Sequence, residues 1–292
     1  MRDTAIAELD GHRGKLGATA SARPRPPLLR ATHVIAGVIA VLMIVASVLG
    51  LAVHGLYHDD AWGKQALLGG DLVSLAVAAP ILIAALVLSI RGSVRARVVV
   101  IGMLAYTLYD YAYYTFGATF NDVFLLHIAL FSLSVFGLAC AIASVDADAV
   151  RERLRTRAAR WVGGMLAVVG VLQGALWIFV ITRFAVNGEL LHDIPVAGQH
   201  LVFAIDLALL VPSLVLSGVL LFRDHPMGYV LGTAMAVMGA VYQLNLMIAG
   251  VYQAHANVPG TTAFPPESIG LTAAFVAAAL AMLWPRRAQT RG

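Results

Sequence analysis

Three aspartates stand in stretches otherwise built from Leu, Val, Ala and Gly: Asp71, Asp110 and Asp206. A carboxylate at the centre of a membrane helix costs about 2.5 to 3.5 kcal/mol on the insertion scale, and less near the interface. Each therefore needs a partner or water. No lysine or arginine lies within the apolar segments that carry them, so tyrosine hydroxyls, amides and water are what remains. Carboxylates so placed bind cations or exchange protons.

Spacing shows which polar groups share a helix face with these acids. In the segment AYTLYDYAYYTFGATFNDVFLLH (105–127), Tyr106, Asp110 and Tyr113 follow at i, i+4 and i+7, with Gly102 beneath and Tyr109 at similar depth. Gln199, Asp206 and Ser213 follow at steps of seven, and Tyr242, Asn245, Ala249 and Tyr252 form a third stripe. Three such stripes predict a cavity whose solute-binding residues are Asp110, Asp206, Tyr106, Tyr109, Tyr242, Asn245, Asp71 and Gln199. The competing reading is that these groups hold the bundle together by hydrogen bonds. Tyr111, Tyr114 and Tyr252 read as interfacial belt residues, Asn121 and Asp122 as a helix cap, and Asp71 lies close enough to an interface to be hydrated.

His54 and His58 lie one turn apart in HGLYHDD, beside Asp59 and Asp60. A divalent metal would need further ligands, which His127 or His200 could supply; no HExxH pattern is present and hydrated interfacial histidines are the commoner case. No resident metal or cofactor is expected. Haem would need histidines at matched depth, a condition only His54 and His127 approach. The absence of lysine from the apolar segments excludes a retinal Schiff base, and Cys140, the only cysteine, excludes an internal disulfide or a CxxC site. There is no P-loop, GxGxxG, GxSxG or nucleic-acid module.

The elements that must position these residues follow from composition. Of 292 residues 60% are hydrophobic and 12% charged, with a mean hydropathy of +0.83. About 25% charged residues is usual for a soluble domain, so the bilayer is the expected solvent. Eight apolar segments, near 34–54, 68–90, 98–116, 122–143, 161–183, 198–222, 227–252 and 267–284, each approach the length of a membrane-crossing helix. The predicted class is all-α: a polytopic membrane protein with eight transmembrane helices.

Eighteen of the 20 basic residues fall in the two tails and the even-numbered connections, leaving only Lys64 and Arg183 opposite. The positive-inside rule then puts both termini in the cytoplasm of an inner-membrane protein, with the intramembrane polarity gathered in the outer half. The pI near 9.4 thus reflects topology and lipid contact, not nucleic acid. The first apolar run is too long, and lacks the small-residue cleavage site, for a signal peptide.

Residues 64–91 and 199–223 resemble each other: polar start, aspartate (Asp71, Asp206), mid-segment proline (Pro80, Pro212), terminal arginine (Arg91, Arg223). This suggests two parallel four-helix repeats, with Asp71 and Asp206 equivalent although their distances to the proline differ by about three residues. The expected organisation is a basic proline-rich tail (1–30, disordered against anionic lipid), a first half (31–143), a basic cytoplasmic linker helix (144–160), a second half (161–285) and a short tail (286–292).

The reading that follows is a membrane protein whose outward-facing acidic and aromatic cavity binds or transports a small polar or cationic solute, with membrane lipids and further copies of the chain as partners. The alternatives are a membrane-embedded enzyme at the outer surface, metal-assisted through His54, His58, His127 and His200, and a non-catalytic partner or sensor subunit.

Overall fold

The computed structural model describes residues 26–189 and 196–284. Nearly all of the expected N-terminal tail and the whole C-terminal tail lie outside these. Among the described residues there are helices and no strands, as backbone groups in lipid require. Helix α1 spans Pro26–Ala52, α2 Ala61–Val73, α3 Ala79–Ile90, α4 Val94–Phe116 and α5 Phe124–Ser144. The linker contains α6, Ala147–Leu154; then come α7 (Ala159–Asn187), α8 (Val196–Ile205), α9 (Val211–Phe222), α10 (Pro226–His255) and α11 (Pro266–Leu283).

Helix starts are fixed by side chains the sequence supplies. Asp60 accepts from Gly63 N at 2.7 Å, Asp146 from Ala149 N at 3.0 Å and Ser93 from Ala96 N at 3.3 Å. Asn121 accepts from Val123 N at 3.1 Å just ahead of α5, an Asx turn in place of the expected cap.

Among the described residues seven helices are long and apolar enough to cross a membrane: Pro26–Ala52, Ala61–Ile90, Phe124–Ser144, Ala159–Asn187, Gly198–Phe222, Pro226–His255 and Pro266–Leu283. The chain is a multi-pass membrane protein. The helix expected as the third span, α4, is 23 residues long and is the most enclosed, with fourteen residues buried. Its five tyrosines and Asp110 make it less apolar than its neighbours, which a helix surrounded by protein can tolerate.

Two of the long helices contain a π turn. Ala79 N–H reaches back to the Ser74 carbonyl over Ser74–Ala78, and Val211 N–H to the Asp206 carbonyl over Asp206–Leu210. In both, proline is the second residue of the α-helix that follows, Pro80 in α3 and Pro212 in α9. Both of these helices have twelve residues and are followed by an arginine, Arg91 or Arg223, and the next residue is left-handed: Gly92 (φ 93°) and Asp224 (φ 57°). Counted from these landmarks, Ser74 and not Asp71 occupies the place of Asp206. The expected equivalence of the two aspartates is therefore off by three residues, one helical turn. The second π turn also breaks the step-of-seven stripe: one extra residue in the turn swings Ser213 away from Asp206, and Ser213 is exposed.

Helices α4 and α10 form the centre. A Cβ on Gly102 would lie 2.7 Å from the Ala234 carbonyl oxygen, so here the two helices meet backbone to backbone. Helix α2 packs on α10 through Gly69, whose Cβ would lie 2.6 Å from Ala249 Cα. Leu201 of α8 lies against Gly117 just past α4. Helix α5 packs on α4 and α1, α7 along α9, and α11 on α10. Helix α6 lies across the ends of α4 and α10: Arg95 donates to the Arg153 carbonyl at 3.0 Å, and Asp224 takes Arg151, Arg155 (3.3 Å) and the Tyr229 hydroxyl (2.7 Å).

Candidate functional site

The three aspartates are enclosed, each held by neutral donors. Asp71 is fully buried in α2, with Tyr57 Oη at 2.7 Å and Tyr114 Oη at 3.2 Å; Tyr114 can also donate to the Leu67 carbonyl at 2.8 Å. A Cβ on Gly50 would overlap this carboxylate, so the glycine in α1 is what makes room for it. The reading of Asp71 as a hydrated interfacial acid fails for that reason.

Asp110 points to α10. Asn245 Nδ2 donates to it at 2.8 Å and also lies 3.1 Å from Tyr106 Oη, while Ser74 Oγ is 3.3 Å from both the carboxylate and the Tyr106 hydroxyl. Asp206 receives Tyr109 Oη at 2.5 Å, Trp177 Nε1 at 2.7 Å and Gln173 Nε2 at 3.1 Å. Tyr109 and Tyr242 hydroxyls are 3.0 Å apart, with their rings edge to face at 4.7 Å. Among the described residues no ion pair involves any of the three acids.

Tyr109, Asp110, Tyr113, Tyr114, Tyr242 and Asn245 line a cavity of about 130 Å³ that continues past Gly70 to Trp62 and Gln253 at the helix ends. Of the residues singled out in the sequence, Asp110, Tyr109, Tyr242 and Asn245 are therefore on the cavity wall. Tyr106 and Asp206 stand directly behind it, each through one hydrogen bond. Asp71 is reached through Tyr114, and Gln199 is buried in α8. On the other side of Tyr109 lies a second cavity, of about 270 Å³, lined by Ile101, Leu138, Leu210 and Met238 among other apolar residues.

Several participants were not among the sequence candidates. Tyr57 sits between the two histidines of HGLYHDD, and Gln173 and Trp177 lie four apart on α7, a spacing that marks a shared face. Ser74 lies three residues after Asp71. Tyr111 and Tyr114 are not interfacial: they are 1% and 2% exposed, and their rings close around His127 at centroid distances of 5.9 and 4.9 Å. The packing of α5 on α4 encloses them.

The four histidines do not converge. His127 is fully buried with neither ring nitrogen hydrogen-bonded, whereas His54, His58 and His200 are exposed. Asp59 binds Thr119 N at 2.8 Å and Asp60 caps α2. Among the described residues no group of three or more His, Cys, Asp or Glu is arranged to hold a metal ion.

Fold and composition define the class as a polytopic membrane protein. No protein-family model, curated protein or solved structure matches the chain.

Proposed function

We propose that the protein binds and transports a small polar or cationic solute through the cavity between α2, α4 and α10. The observation that carries this is a carboxylate on the cavity wall, Asp110, with a second, Asp206 from the later part of the chain, one hydrogen bond behind that wall through Tyr109. A bundle needing only adhesion would be served by one amide or hydroxyl pair, worth about 0.6 kcal/mol in a membrane. Here three acids are set in lipid-spanning segments without a basic residue to neutralise them. A cation entering the cavity supplies that charge. About 130 Å³ is room for about four waters, which suits a small ion or an amine rather than a bulky solute.

In this reading α4 crosses the membrane as an eighth span, its polar residues shielded by α2, α5 and α10, and the chain is two parallel repeats. One numerical regularity supports the repeat. Residue 102 shifted by 132 is 234, so the Gly102–Ala234 contact joins equivalent positions, as a contact on a two-fold axis must. Residue 69 shifted by 132 is 201 and residue 117 shifted by 132 is 249, so Gly69–Ala249 and Leu201–Gly117 are the same contact made twice. The same shift relates the π turns, Pro80 to Pro212 and Arg91 to Arg223. The halves differ at their edges: α5 packs on α1, and no comparable seam joins α11 to α7. With the basic linker and tails in the cytoplasm, the polar cavity opens outward, and the pivot for alternating access is the α4–α10 contact.

The test is a thermal-stability screen of the purified protein against sodium, potassium, ammonium, methylammonium and choline. At least one of these should raise the melting temperature of the wild type. Asp110→Asn, which keeps shape and hydrogen bonding, should remove that increment while leaving the unliganded protein folded. If no small cation stabilises the wild type, and Asp110→Asn and Asp206→Asn behave identically to it, the acids are structural only.

A further inference from the structure

The end of the bundle opposite the acidic cavity holds a different kind of site. Arg155, Arg157, Arg160 and Arg223 line a cavity of about 620 Å³, together with Thr156, Asp224, Tyr229, Leu221 and Phe222. Arginines of the cytoplasmic side are expected from topology alone, and most lie on open surface. These four come from three places, the linker after α6, the start of α7 and the end of α9, and border one concavity. The only carboxylate there, Asp224, is already engaged by Arg151, Arg155 and the Tyr229 hydroxyl. Among the described residues Arg157, Arg160 and Arg223 have no acidic partner. The cavity therefore has about three uncompensated positive charges.

Its walls say which anion suits it. Arg160 is not free to wave in solvent: its guanidinium carbon lies 5.2 Å from the Phe222 ring centroid, a cation–π distance. Phe222 itself is half exposed, and Trp161, next to Arg160, is 83% exposed where an interfacial tryptophan would sit. Beyond them, Val168 and Leu172 of α7 and Leu216 of α9 present an apolar outer surface. Helices α7 and α9 are held close by Gly163 and Gly218, so this surface is one continuous face. A charged concavity thus borders the hydrocarbon-facing surface.

We propose that this cavity binds the phosphate of an anionic phospholipid, with Arg157, Arg160 and Arg223 around the head group and the acyl chains along α7 and α9. Guanidinium groups pair with phosphate oxygens through two parallel N–H donors, and basic pockets at the cytoplasmic ends of membrane helices hold such lipids. A lipid seated there ties the linker to the second half. The proposal does not depend on what the acidic cavity transports.

Native mass spectrometry of the purified full-length protein tests it, with phosphatidylglycerol and phosphatidylcholine added in parallel and inorganic phosphate as competitor. Phosphatidylglycerol should give a retained adduct of defined stoichiometry that phosphatidylcholine does not. Arg160→Gln combined with Arg223→Gln should weaken it about thirtyfold, from the worth of about one basic residue at an anionic surface counted twice. Arg91→Gln, an exposed arginine outside the cavity, should leave it unchanged, and Arg160→Lys with Arg223→Lys should retain part of the affinity, which separates lost recognition from a folding defect of the double glutamine variant. Equal retention of both lipids, equal weakening by Arg91→Gln, or displacement by millimolar inorganic phosphate would each overturn the assignment to lipid.

Discussion

The Tyr109 hydroxyl donates to Asp206 at 2.5 Å, joining the most enclosed helix of the first half to the π turn of the second. The same hydroxyl lies 3.0 Å from that of Tyr242, and the Tyr109 side chain borders both the polar cavity and the apolar one beneath it. Tyr109→Phe removes this link and leaves Asp206 with Gln173 and Trp177. A lost hydrogen bond to a charged group predicts destabilisation of about 1.5 to 3 kcal/mol, measurable by denaturation in detergent. Cation stabilisation should weaken as well, more than in Tyr111→Phe, whose ring lies on the far side against His127.

Gly102 tests the central contact. Gly102→Ala puts a methyl group 2.7 Å from a backbone oxygen that cannot move aside without shifting α10. Overpacking of this kind costs about 1 to 3 kcal/mol. Gly164→Ala is the control, because its nearest neighbour would be Phe222 Cδ2 at 3.9 Å, an ordinary contact. The melting temperature should fall for the first variant only.

Orientation is checked by single cysteines placed in a Cys140→Ser background. Positions 59 and 258 should label with impermeant reagent from outside, and positions 95 and 155 only after permeabilisation. Labelling of 155 from outside would reverse the direction assigned to both cavities.

The linker has its own pH dependence. The Arg151 guanidinium, followed by the Tyr229 hydroxyl, holds the Asp224 carboxyl below the usual carboxylate range. A depressed pKa stabilises the charged, folded form above the unfolded value near 3.9, and that contribution is lost as pH falls through the lower folded value. Protection of the 151–157 segment from trypsin-like cleavage should therefore be constant from neutral pH down to about 5. Release should occur only in strong acid, as judged by hydrogen exchange of α6. Asp224→Asn should release it at every pH.

The helices and the polar positions were legible because apolar length and the cost of an unpaired acid both act locally along the chain. Asp110 beside Tyr106 follows from i, i+4 spacing, and a need for neutral donors follows from the absence of any basic residue nearby. The offset between the two similar stretches was legible from the prolines and arginines, which both differ by 132, and the aspartates break it by three residues; what spacing could not show is the π turns, which move Ser213 off the face of Asp206. Nor could spacing show that Tyr111 and Tyr114 are enclosed: their burial depends on α5 closing over α4, a long-range packing event. Gln173 and Trp177 carried a usable signal, four residues apart on one helix, but their acidic partner is 29 residues or more away.

The two π turns also bear on ancestry. Each is one residue more than an α-helical turn would use, and each begins six residues before a proline. If the halves are repeats, a separate insertion at the same point in each is a less economical history than one insertion copied with the rest. The extra residue then predates the duplication, and the ancestral gene encoded four spans already bent to this pattern. Such a unit would have had to pair with itself through the glycine now at 102 and the alanine now at 234. The present chain is then a dimer made permanent, whose two members were afterwards free to diverge: the π turn now begins with serine in one and with aspartate in the other.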